Sequence, residues 1–544
     1  KNKIKKNDLI ILAGNFTGKD GIHGASFASS DLEEDNRSAI QIPDPFLEKI
    51  LIEATIEAIE KKCIKSMKDL GGGGLACCLS ETASNLEKGF EIELSNIPLK
   101  HGDITNSEIM ISESQERMLY ITSNKRLKKL FKIFDKHNIK YAVIGKVNNN
   151  KNISIKKNGI LLAKMPAKLI ANAPLLNRPS RKPLYFEEIE KSFKEPVAPE
   201  DLQNLVMHMI SAPNICSKRW IYQQYDHEVG IRTVSKPGFS DASILKLEEG
   251  KYIAFTLDGN SKHCYLDPYE GTLGVLAESV SNIICEGGEP IGIVDHLQFG
   301  NPENEQIFWT FLECIKAIKY FCEFMKIPIV GGKVSLYNET KYGPIKPSPV
   351  IGTLGLIKNT KINRIEPPRS NESIFIIGMT FDEVGGSEYY EYFHKVVGGK
   401  VPKVNLASHS KICKSVRRML NSTWISAIHD CSKGGFIISM LEVSIKNDLG
   451  FLIDVNKIPT TCKRIDNTLF SESHSRFIII TKHSSKVEEN LIKENITFAK
   501  IGVVTENKKC ILKENNKIIC DLNLSQIDKK YNESISSILK TKQD

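Results

Sequence analysis

The sequence has little that would place it in a membrane or on a nucleic acid. No apolar run approaches the roughly 20 residues that a helix needs to cross a bilayer, and no signal-peptide pattern is present. The formal net charge is +9, yet 74 basic residues are interleaved with 65 acidic ones, and aromatic residues make up only 8% of the chain. Nucleic-acid binding favours a concentrated basic stripe with stacking aromatics. We therefore expect a cytoplasmic protein with neither nucleic acid nor membrane as a partner.

The cysteines are also not arranged for cross-linking. The 13 cysteines are scattered, and none forms a Cys-x-x-Cys pair. Cys77 and Cys78 are adjacent inside an apolar helical run, which favours packing over bridging or zinc ligation. This pattern excludes a disulfide framework and is typical of a reducing compartment.

The chain has room for several domains. Its 544 residues allow two to four cores, and strands alternate with helices, so we expect an α/β (α+β) fold. The predicted divisions are an α+β domain at 1–180, a proline-rich linker at 181–199, a second domain at 200–365, a third at 366–535 and a tail at 536–544. The clearest helical pattern, 271–286, carries an apolar face and is stopped by glycines and a proline.

The stretch from Asp69 to Gln115 is the strongest candidate for a functional site. It opens with DLGGGGLA at 69–76 and closes with SESQERM at 112–118. A carboxylate followed by glycines at a helix start lets the backbone approach an anion or a metal closely. An earlier glycine loop with Lys19 invites comparison with a phosphate-binding P-loop. That comparison fails, because one spacer residue is missing and Asp20 replaces the metal-binding Ser or Thr.

The same organisation recurs in the third domain. Each copy has an apolar strand, a glycine loop with a serine, an Asp–glycine loop and a Ser-Glu-Ser motif. The serine and the aspartate are 43 residues apart in both copies (26 to 69 and 387 to 430), and the aspartate and the glutamate are 44 or 42 apart (69 to 113 and 430 to 472). The copies differ where Lys433 enters the second glycine loop and where His474 replaces Gln115. We predict that one copy holds the active site and the other is auxiliary.

Several further motifs carry a family resemblance that extends from about residue 8 to 530. They are GKDGIHGASFAS (18–29), QIPDPF (41–46), QYDH (224–227), LDPYEG (266–271), FGNP (299–302), GKVSLYNE (332–339) and GGSEY (385–389). With the Asp69–Gln115 stretch, they make the chain resemble the synthetase subunit of phosphoribosylformylglycinamidine synthase, of the small bacterial and archaeal type (formylglycinamide ribonucleotide amidotransferase).

The resemblance implies a ligase of purine biosynthesis. Such enzymes convert formylglycinamide ribonucleotide, ATP and ammonia into formylglycinamidine ribonucleotide, ADP and phosphate, and use Mg²⁺. A glutaminase subunit and a small third subunit supply the ammonia. The implied fold is two tandem aminoimidazole-ribonucleotide-synthetase-like units. Because the chain begins at Lys1, we expect the first unit to lack its N-terminal barrel-forming domain, and the chain to be incomplete for activity.

The resemblance also implies roles for individual residues. Asp69 would bind Mg²⁺, and Asp295 and Gly332 would contact ATP. Lys333 stands where the family has a magnesium-ligating Asn, and an ammonium cannot ligate a cation. No catalytic residue is identifiable, since the family's histidine would precede residue 1 and His23 does not lie in its motif. The implied substrate contacts are Gln41, Glu113, Ser114, Gln115 and Ser335.

Each role has a structural alternative. Asp69 would cap the following helix, Gln41 would be a turn residue, and Glu113 would pair with Arg117. Asp295 and Gly332 would be a cap and a turn at strand ends. The counterparts in the auxiliary half are Asp258, Asp430 and Glu472.

Two other functions remain open at this point. One is another synthetase of the same superfamily, although those chains carry a single copy. The other is a non-catalytic scaffold that binds nucleotide and partner subunits, favoured by Lys333 and Lys433.

Overall fold

The computed structural model describes residues 3–22, 40–172, 174, 176–248, 250–358 and 367–540. His23 and Ser26 lie outside the described residues, as does the end of the predicted tail. The chain divides into two compact units: unit 1 is Lys1–Asn177 with Glu339–Lys341, and unit 2 is Arg178–Asn338 with Tyr342–Asp544. No helix among the described residues is long and apolar enough to cross a membrane.

Unit 1 is built on a seven-stranded sheet with the order β2-β4-β1-β5-β3-β6-β7. Its strands are β1 (Leu9–Gly14), β2 (Ser66–Asp69), β3 (Gly89–Glu93), β4 (Arg117–Thr122), β5 (Tyr141–Asn148), β6 (Asn152–Lys157) and β7 (Ile160–Pro166). Its helices are α1 (Pro45–Glu60), α2 (Gly74–Asn85), α3 (Asn106–Ile111), α4 (Asn124–Lys136) and α5 (Ala167–Ala171).

The central strand β1 shows why this sequence forms a sheet covered on both faces. Successive strand side chains point to opposite faces. Ile10 and Leu12 enter one buried cluster, with residues of α2, while Ile11 and Ala13 enter another, with residues of α1 and α4. The uninterrupted apolar run at 9–13 is therefore the pattern of a strand buried on both sides.

Unit 2 contains a second seven-stranded sheet, with the order β17-β19-β16-β20-β18-β21-β22. Its strands are β16 (Ser373–Ile377), β17 (Ala427–Asp430), β18 (Gly450–Asp454), β19 (Phe477–Thr481), β20 (Phe498–Thr505), β21 (Lys509–Glu514) and β22 (Lys517–Asn523). Its helices are α12 (Leu406–Asn421), α13 (Gly435–Asn447), α14 (Ile465–Phe470), α15 (Ser484–Lys493) and α16 (Leu524–Lys540). Strand for strand, this is the order of the unit 1 sheet, so the repeat in the sequence is a repeat of topology.

The rest of unit 2 carries a smaller sheet, with the order β12-β11-β15-β9-β8 and β10 paired to β15. Its strands are β8 (Ser243–Glu248), β9 (Lys251–Phe255), β10 (Asp258–Gly259), β11 (Glu289–Gln298), β12 (Ile329–Ser335) and β15 (Ser348–Ile357). Two-residue strands precede β15 along the chain: β13 (Glu339–Thr340), which belongs to unit 1, and β14 (Gly343–Pro344), which belongs to unit 2. The helices are α6 (Tyr185–Ser192), α7 (Leu202–Met209), α8 (Arg219–Tyr222), α9 (Ser261–Leu266), α10 (Pro268–Cys285) and α11 (Glu305–Met325).

Helix α10 lies at the centre of this part of unit 2 and is buried on nearly all sides. It begins at Pro268, three residues before the start expected from its apolar pattern. The reason is local: the Asp267 carboxylate accepts hydrogen bonds from the backbone N–H groups of Tyr269 and Glu270, and Pro268 at the first helical position has no N–H to satisfy.

Candidate active site

The loop between β2 and α2 has a backbone that only glycine allows at its end. Gly73 and Gly74 have φ of +75° and +54°. A Cβ at Gly74 would lie 2.1 Å from the carbonyl oxygen of Ser112, so the loop and the Ser-Glu-Ser segment touch backbone to backbone. No side chain caps α2, whose N-cap is Gly73. The capping alternative for Asp69 is therefore wrong, and its exposed carboxylate is available at the end of β2.

Glu113 is the buried carboxylate of this loop. Its side chain is only 4% exposed. Oε1 accepts a hydrogen bond from the Gly73 N–H at 2.8 Å, and Oε2 accepts one from the amide of Gln41. The Gln115 amide donates to the Glu113 carbonyl at 3.0 Å. The structure thus brings three of the predicted substrate contacts together: Gln41, Glu113 and Gln115.

Arg117 does not pair with Glu113, so that alternative is also wrong. Its buried guanidinium donates to the carbonyls of Ser114 at 2.8 Å and Ser112 at 2.7 Å and to the Thr17 hydroxyl at 2.8 Å. Burial lowers the pKa of Arg117 to about 10, which still leaves it cationic at neutral pH. Arg117 therefore stabilises the Ser-Glu-Ser turn through hydrogen bonds to the backbone carbonyls of the turn.

The Ser114 hydroxyl is hydrogen-bonded to the first glycine loop. Its hydroxyl accepts a hydrogen bond from the Gly18 N–H at 2.9 Å and donates to Asp20. Burial acts to raise the pKa of Asp20, but the hydrogen bonds from Lys100 and Ser114 outweigh it and hold that pKa below its ordinary value. Asp20, which stands where a P-loop has Ser or Thr, thus connects the first glycine loop to the Ser-Glu-Ser turn through its hydrogen bond with Ser114. The sequence did not reveal this role.

The glycine loop leaves open space beside two carboxylates. A Cβ at Gly71 would come no closer than 3.9 Å, to Asp69 Oδ2, and one at Gly72 no closer than 3.9 Å, to Glu113 Oε1. The nearby Lys68 is engaged by Glu81 at 2.8 Å. Mg²⁺ prefers one or two carboxylates completed by phosphate and water. The exposed Asp69 carboxylate, beside glycines that leave this space open, is a donor of the type that such an ion takes.

Asp295 and Gly332 lie side by side in unit 2. They are register partners in the parallel pair β11–β12, and a Cβ at Gly332 would lie 2.6 Å from Asp295 Oδ1. Both residues are inside their strands rather than at strand ends, so the cap and turn alternatives are wrong. Burial raises the pKa of Asp295. Both residues line a cleft of about 770 Å³, whose opposite wall is α11, with Ile315, Ile318, Lys319 and Cys322.

Lys333 and Ser335 belong to the other face of the same sheet. Because strand side chains alternate, they point away from the face that carries Asp295 and Gly332. Lys333 is exposed, and its register partner is His296. The Ser335 hydroxyl lies 3.3 Å from the Asn338 side-chain oxygen.

Unit 2 repeats the architecture of the unit 1 loop. Arg476 donates to the Ser473 carbonyl, the Ser471 carbonyl and the Thr380 hydroxyl, as Arg117 does in unit 1. The Glu472 Oε1 accepts from the Gly434 N–H at 2.9 Å, which matches Glu113 and Gly73. Asp430, unlike Asp69, is buried.

A second group of donors in unit 2 surrounds His429. Asp241, His429 and Asp430 offer ligand atoms within 4.8 Å of one another. The His429 ring nitrogens lie 2.8 Å from Asp241 and 3.0 Å from Glu442. Burial would lower the pKa of His429, but these two carboxylates raise it well above its ordinary value. His429 and Glu442 occupy the places that Lys68 and Glu81 hold in unit 1, so both copies carry a cation here.

Comparison with known proteins agrees with this architecture. The family model for AIR synthase related protein, C-terminal domain, matches residues 5–158 and again 370–514, and the model for the N-terminal domain matches 239–357. Phosphoribosylformylglycinamidine synthase subunit PurL of Methanothermobacter marburgensis is 40% identical over 514 residues, which cover 92% of this chain and 71% of that protein. The Thermococcus sibiricus subunit is 39% identical over 539 residues, covering 98% and 74%.

The chain belongs to the phosphoribosylformylglycinamidine synthase subunit PurL family. The family's reaction is the ATP-dependent synthesis of formylglycinamidine ribonucleotide in purine biosynthesis, and its members are carbon–nitrogen ligases. The expectations of family, of α/β (α+β) fold class and of enzyme class are confirmed. A solved structure titled "T. maritima PurL complexed with FGAR" has the same fold, with a TM-score of 0.69, 24% identity and coverage of 93% of this chain and 73% of that one.

Proposed function

We propose that this chain amidates formylglycinamide ribonucleotide at the expense of ATP, with the Asp69–Gln115 stretch as one wall of the active site. The observation that carries this proposal is the hydrogen-bonded set of Gln41, Glu113 and the Gly73 backbone beside the exposed Asp69. Related solved structures are titled as T. maritima PurL complexed with FGAR and with ATP, which supports the two substrates. We place the reaction in the cytoplasm.

The proposed chemistry needs no protein nucleophile. The amide oxygen of the substrate attacks the γ-phosphorus of ATP, ADP leaves, and the amide nitrogen loses its proton, which gives an iminophosphate. Ammonia then attacks the carbon of the C=N bond and loses a proton, and phosphate departs with the former amide oxygen to leave the amidine. Phosphoryl transfer of this kind depends on positioning and charge stabilisation.

The residues of unit 1 suit the nucleotide substrate. We assign Gln41, Glu113 and Gln115 to contacts with it, since all three converge on one turn. Ser114 contributes through the same turn, which its hydroxyl ties to Gly18 and Asp20. The assignment of Ser335, in unit 2, as a substrate contact rests on the resemblance alone.

The cleft beside Asp295 suits ATP. Glycine at 332 leaves the Asp295 carboxylate in place, because a Cβ there would lie 2.6 Å from Asp295 Oδ1 and would displace it. The apolar wall from α11 offers a surface for a base, and Asp295 offers a hydrogen-bond acceptor.

Asp69 would hold Mg²⁺, which when bound neutralises phosphate charge. Lys333 adds a positive charge but no ligand, so we expect fewer protein-held metal ions than in relatives with Asn at this position.

Ammonia supply requires partners. We propose a glutaminase subunit and a small third subunit, as the resemblance implies. A related solved structure is titled "Structure of PurLQS from Thermotoga maritima", with a TM-score of 0.66 and 23% identity, and it is consistent with such a complex.

Substitution of Glu113 tests the proposal. In the full-length gene product, Glu113→Gln removes the charge that the Gln41 amide and the Gly73 N–H both address. We expect ADP formation dependent on formylglycinamide ribonucleotide, ATP and ammonium to fall by about 100-fold or more, which is the usual cost of a lost charge-positioning group. The matched control is Glu53→Gln, which removes an exposed carboxylate paired with Lys49 on α1. Equal activity of the two variants would contradict the assignment, and a wild type with no substrate-dependent ADP formation would favour the scaffold.

A further inference from the structure

The second glycine loop differs from the first by one charged side chain. Alignment of the two loops on Asp69 and Asp430 places Lys433 opposite Gly72. The surrounding backbone is the same in both copies: Gly434 and Gly435 have φ of +78° and +71°, and Gly434 donates to the Glu472 carboxylate. The extra ammonium is therefore the difference to be explained.

Lys433 reaches into a cluster of three carboxylates, Asp258, Glu278 and Glu472. Its Nζ lies 3.6 Å from Glu278 Oε1, and the Glu278 side chain is 9% exposed. The charge of Glu278, followed by those of Asp258 and Glu472, holds the pKa of Lys433 above its ordinary value. The Lys433 ammonium is thus the shared counter-ion of the cluster.

The other neighbours do not supply this charge. Lys262 is engaged by Glu388 at 2.8 Å. His263 Nε2 is 3.4 Å from Glu472 Oε2, but burial, followed by interactions with His474, Lys433 and Lys262, lowers its pKa well below the ordinary value, so the ring is neutral. Asp258 has no other cationic partner: burial and the charge of Glu278 raise its pKa to about 7, and its Oδ2 is buried without a hydrogen-bond partner among the described residues.

Of the three carboxylates around Lys433, only Glu472 has a counterpart in unit 1, which is Glu113, and glycine stands opposite Lys433 there. Gly72 has no side chain, and the lysines around the loop are each engaged elsewhere: Lys19 by Asp103, Lys68 by Glu81 and Lys100 by Asp20. The proposed Mg²⁺ at Asp69 would therefore meet no ammonium at the position of Gly72, whereas unit 2 carries the Lys433 ammonium at the matching position.

We propose that Lys433 is the resident cation of the second copy and takes the place of a divalent metal between Asp258, Glu278 and Glu472. The second copy then needs no metal at this position. The ion pairs of Lys433 instead hold two domains of unit 2 together, because Asp258 and Glu278 come from β10 and α10, whereas Lys433 and Glu472 come from the second seven-stranded domain. An ammonium is a single charge on a flexible stem and provides no coordination sites for phosphate oxygens. The contrast with unit 1 rests on the proposed metal role of Asp69.

Removal of the ammonium while the carboxylates remain should create a metal site. The test is Mn²⁺ binding to the full-length protein, measured by the electron paramagnetic resonance signal of the free ion. Lys433→Ala is expected to bind one more Mn²⁺ per chain than the wild type, with a Tm that rises on addition of Mn²⁺. The added site should disappear in the double variant Lys433→Ala/Glu278→Gln. Lys457→Ala is the control, because it removes an exposed lysine that pairs with Asp454 at the surface, and it should gain no ion.

Three results would overturn the proposal. One is a folded Lys433→Ala protein that binds no additional Mn²⁺. Another is the loss of a nucleotide-binding event in that variant by equilibrium dialysis with ATP, which would make Lys433 a phosphate ligand. A third needs no variant: an anomalous Mn²⁺ peak among Asp258, Glu278 and Glu472 in wild-type crystals would show that the site takes metal despite Lys433. Asp69→Asn separates the two proposals, since an unchanged Mn²⁺ count there would refute the metal role of Asp69 and leave the test of Lys433 intact.

Discussion

Replacement of Gly74 by alanine tests how the first glycine loop is held against the Ser-Glu-Ser turn. The left-handed backbone at φ +54° costs a non-glycine residue about 1–2 kcal/mol. The new Cβ would also lie 2.1 Å from the Ser112 carbonyl oxygen, and overpacking of this kind costs about 1–3 kcal/mol. We therefore expect unit 1 to lose about 2–5 kcal/mol of stability, because the loop and the turn that carries Glu113 must move apart.

The matched control lies three residues earlier. A Cβ at Gly71 meets nothing closer than 3.9 Å, so Gly71→Ala should change stability by no more than about 0.5 kcal/mol. All three tryptophans, at 220, 309 and 424, lie in unit 2, so their fluorescence does not follow unit 1. Hydrogen exchange of the backbone amides of β4 (Arg117–Thr122) reports the stability of unit 1, and Gly74→Ala should accelerate this exchange by about 30-fold or more. Equal exchange in the two variants would refute the backbone contact between loop and turn.

Three further outcomes follow from the same structure. Arg117→Met should lower the stability of unit 1 by about 3–6 kcal/mol, and Arg476→Met that of unit 2 by a similar amount, because each leaves two carbonyls and a hydroxyl without their donor. Hydrogen exchange of β4 measures the change in unit 1, and tryptophan fluorescence during urea unfolding measures the change in unit 2. A loss below about 1 kcal/mol would count against the role of these side chains. Burial lowers the pKa of His409 to about 4 in the folded protein, so this histidine takes up a proton at higher pH in the unfolded chain than in the folded one. Unit 2 should therefore lose about 3 kcal/mol of stability as the pH falls from 6.5 to 4. The stability of His409→Gln, measured by urea unfolding, should depend less steeply on pH, and an unchanged slope would refute this. Gly332→Ala should raise the KM for ATP by about tenfold or more, whereas Gly331→Ala, whose Cβ meets nothing closer than 4.0 Å, should not; equal values would contradict the ATP assignment.

The repeat could be predicted from the sequence because its motifs recur at matched spacing, and spacing between strands and loops is a property of topology. Both seven-stranded sheets then follow the same order. The family and its reaction followed from motifs in the same way. Roles at single positions, including Ser335 and Asp69, stay predictions.

Other features depended on contacts that local patterns do not contain. The Gly74 requirement comes from the Ser112 carbonyl, and the Ser114 hydroxyl is bound by Asp20, far away along the chain. The alternatives for Asp69, Asp295 and Gly332 failed for a related reason: whether a residue caps a helix or ends a strand depends on the backbone of its partners. The sequence shows that Lys433 interrupts the second glycine loop. Its ion pair with Glu278 could not be predicted, because Glu278 belongs to a different domain of unit 2.

The most direct test of the central claim follows the amide oxygen of the substrate. The full-length gene product is incubated with ATP, ammonium and formylglycinamide ribonucleotide that carries ¹⁸O in its amide group, and the inorganic phosphate is examined by mass spectrometry. If the chain is a synthetase that acts through an iminophosphate, the label is recovered in phosphate as ADP accumulates. Unlabelled phosphate, or ADP formed without the substrate, would contradict the account.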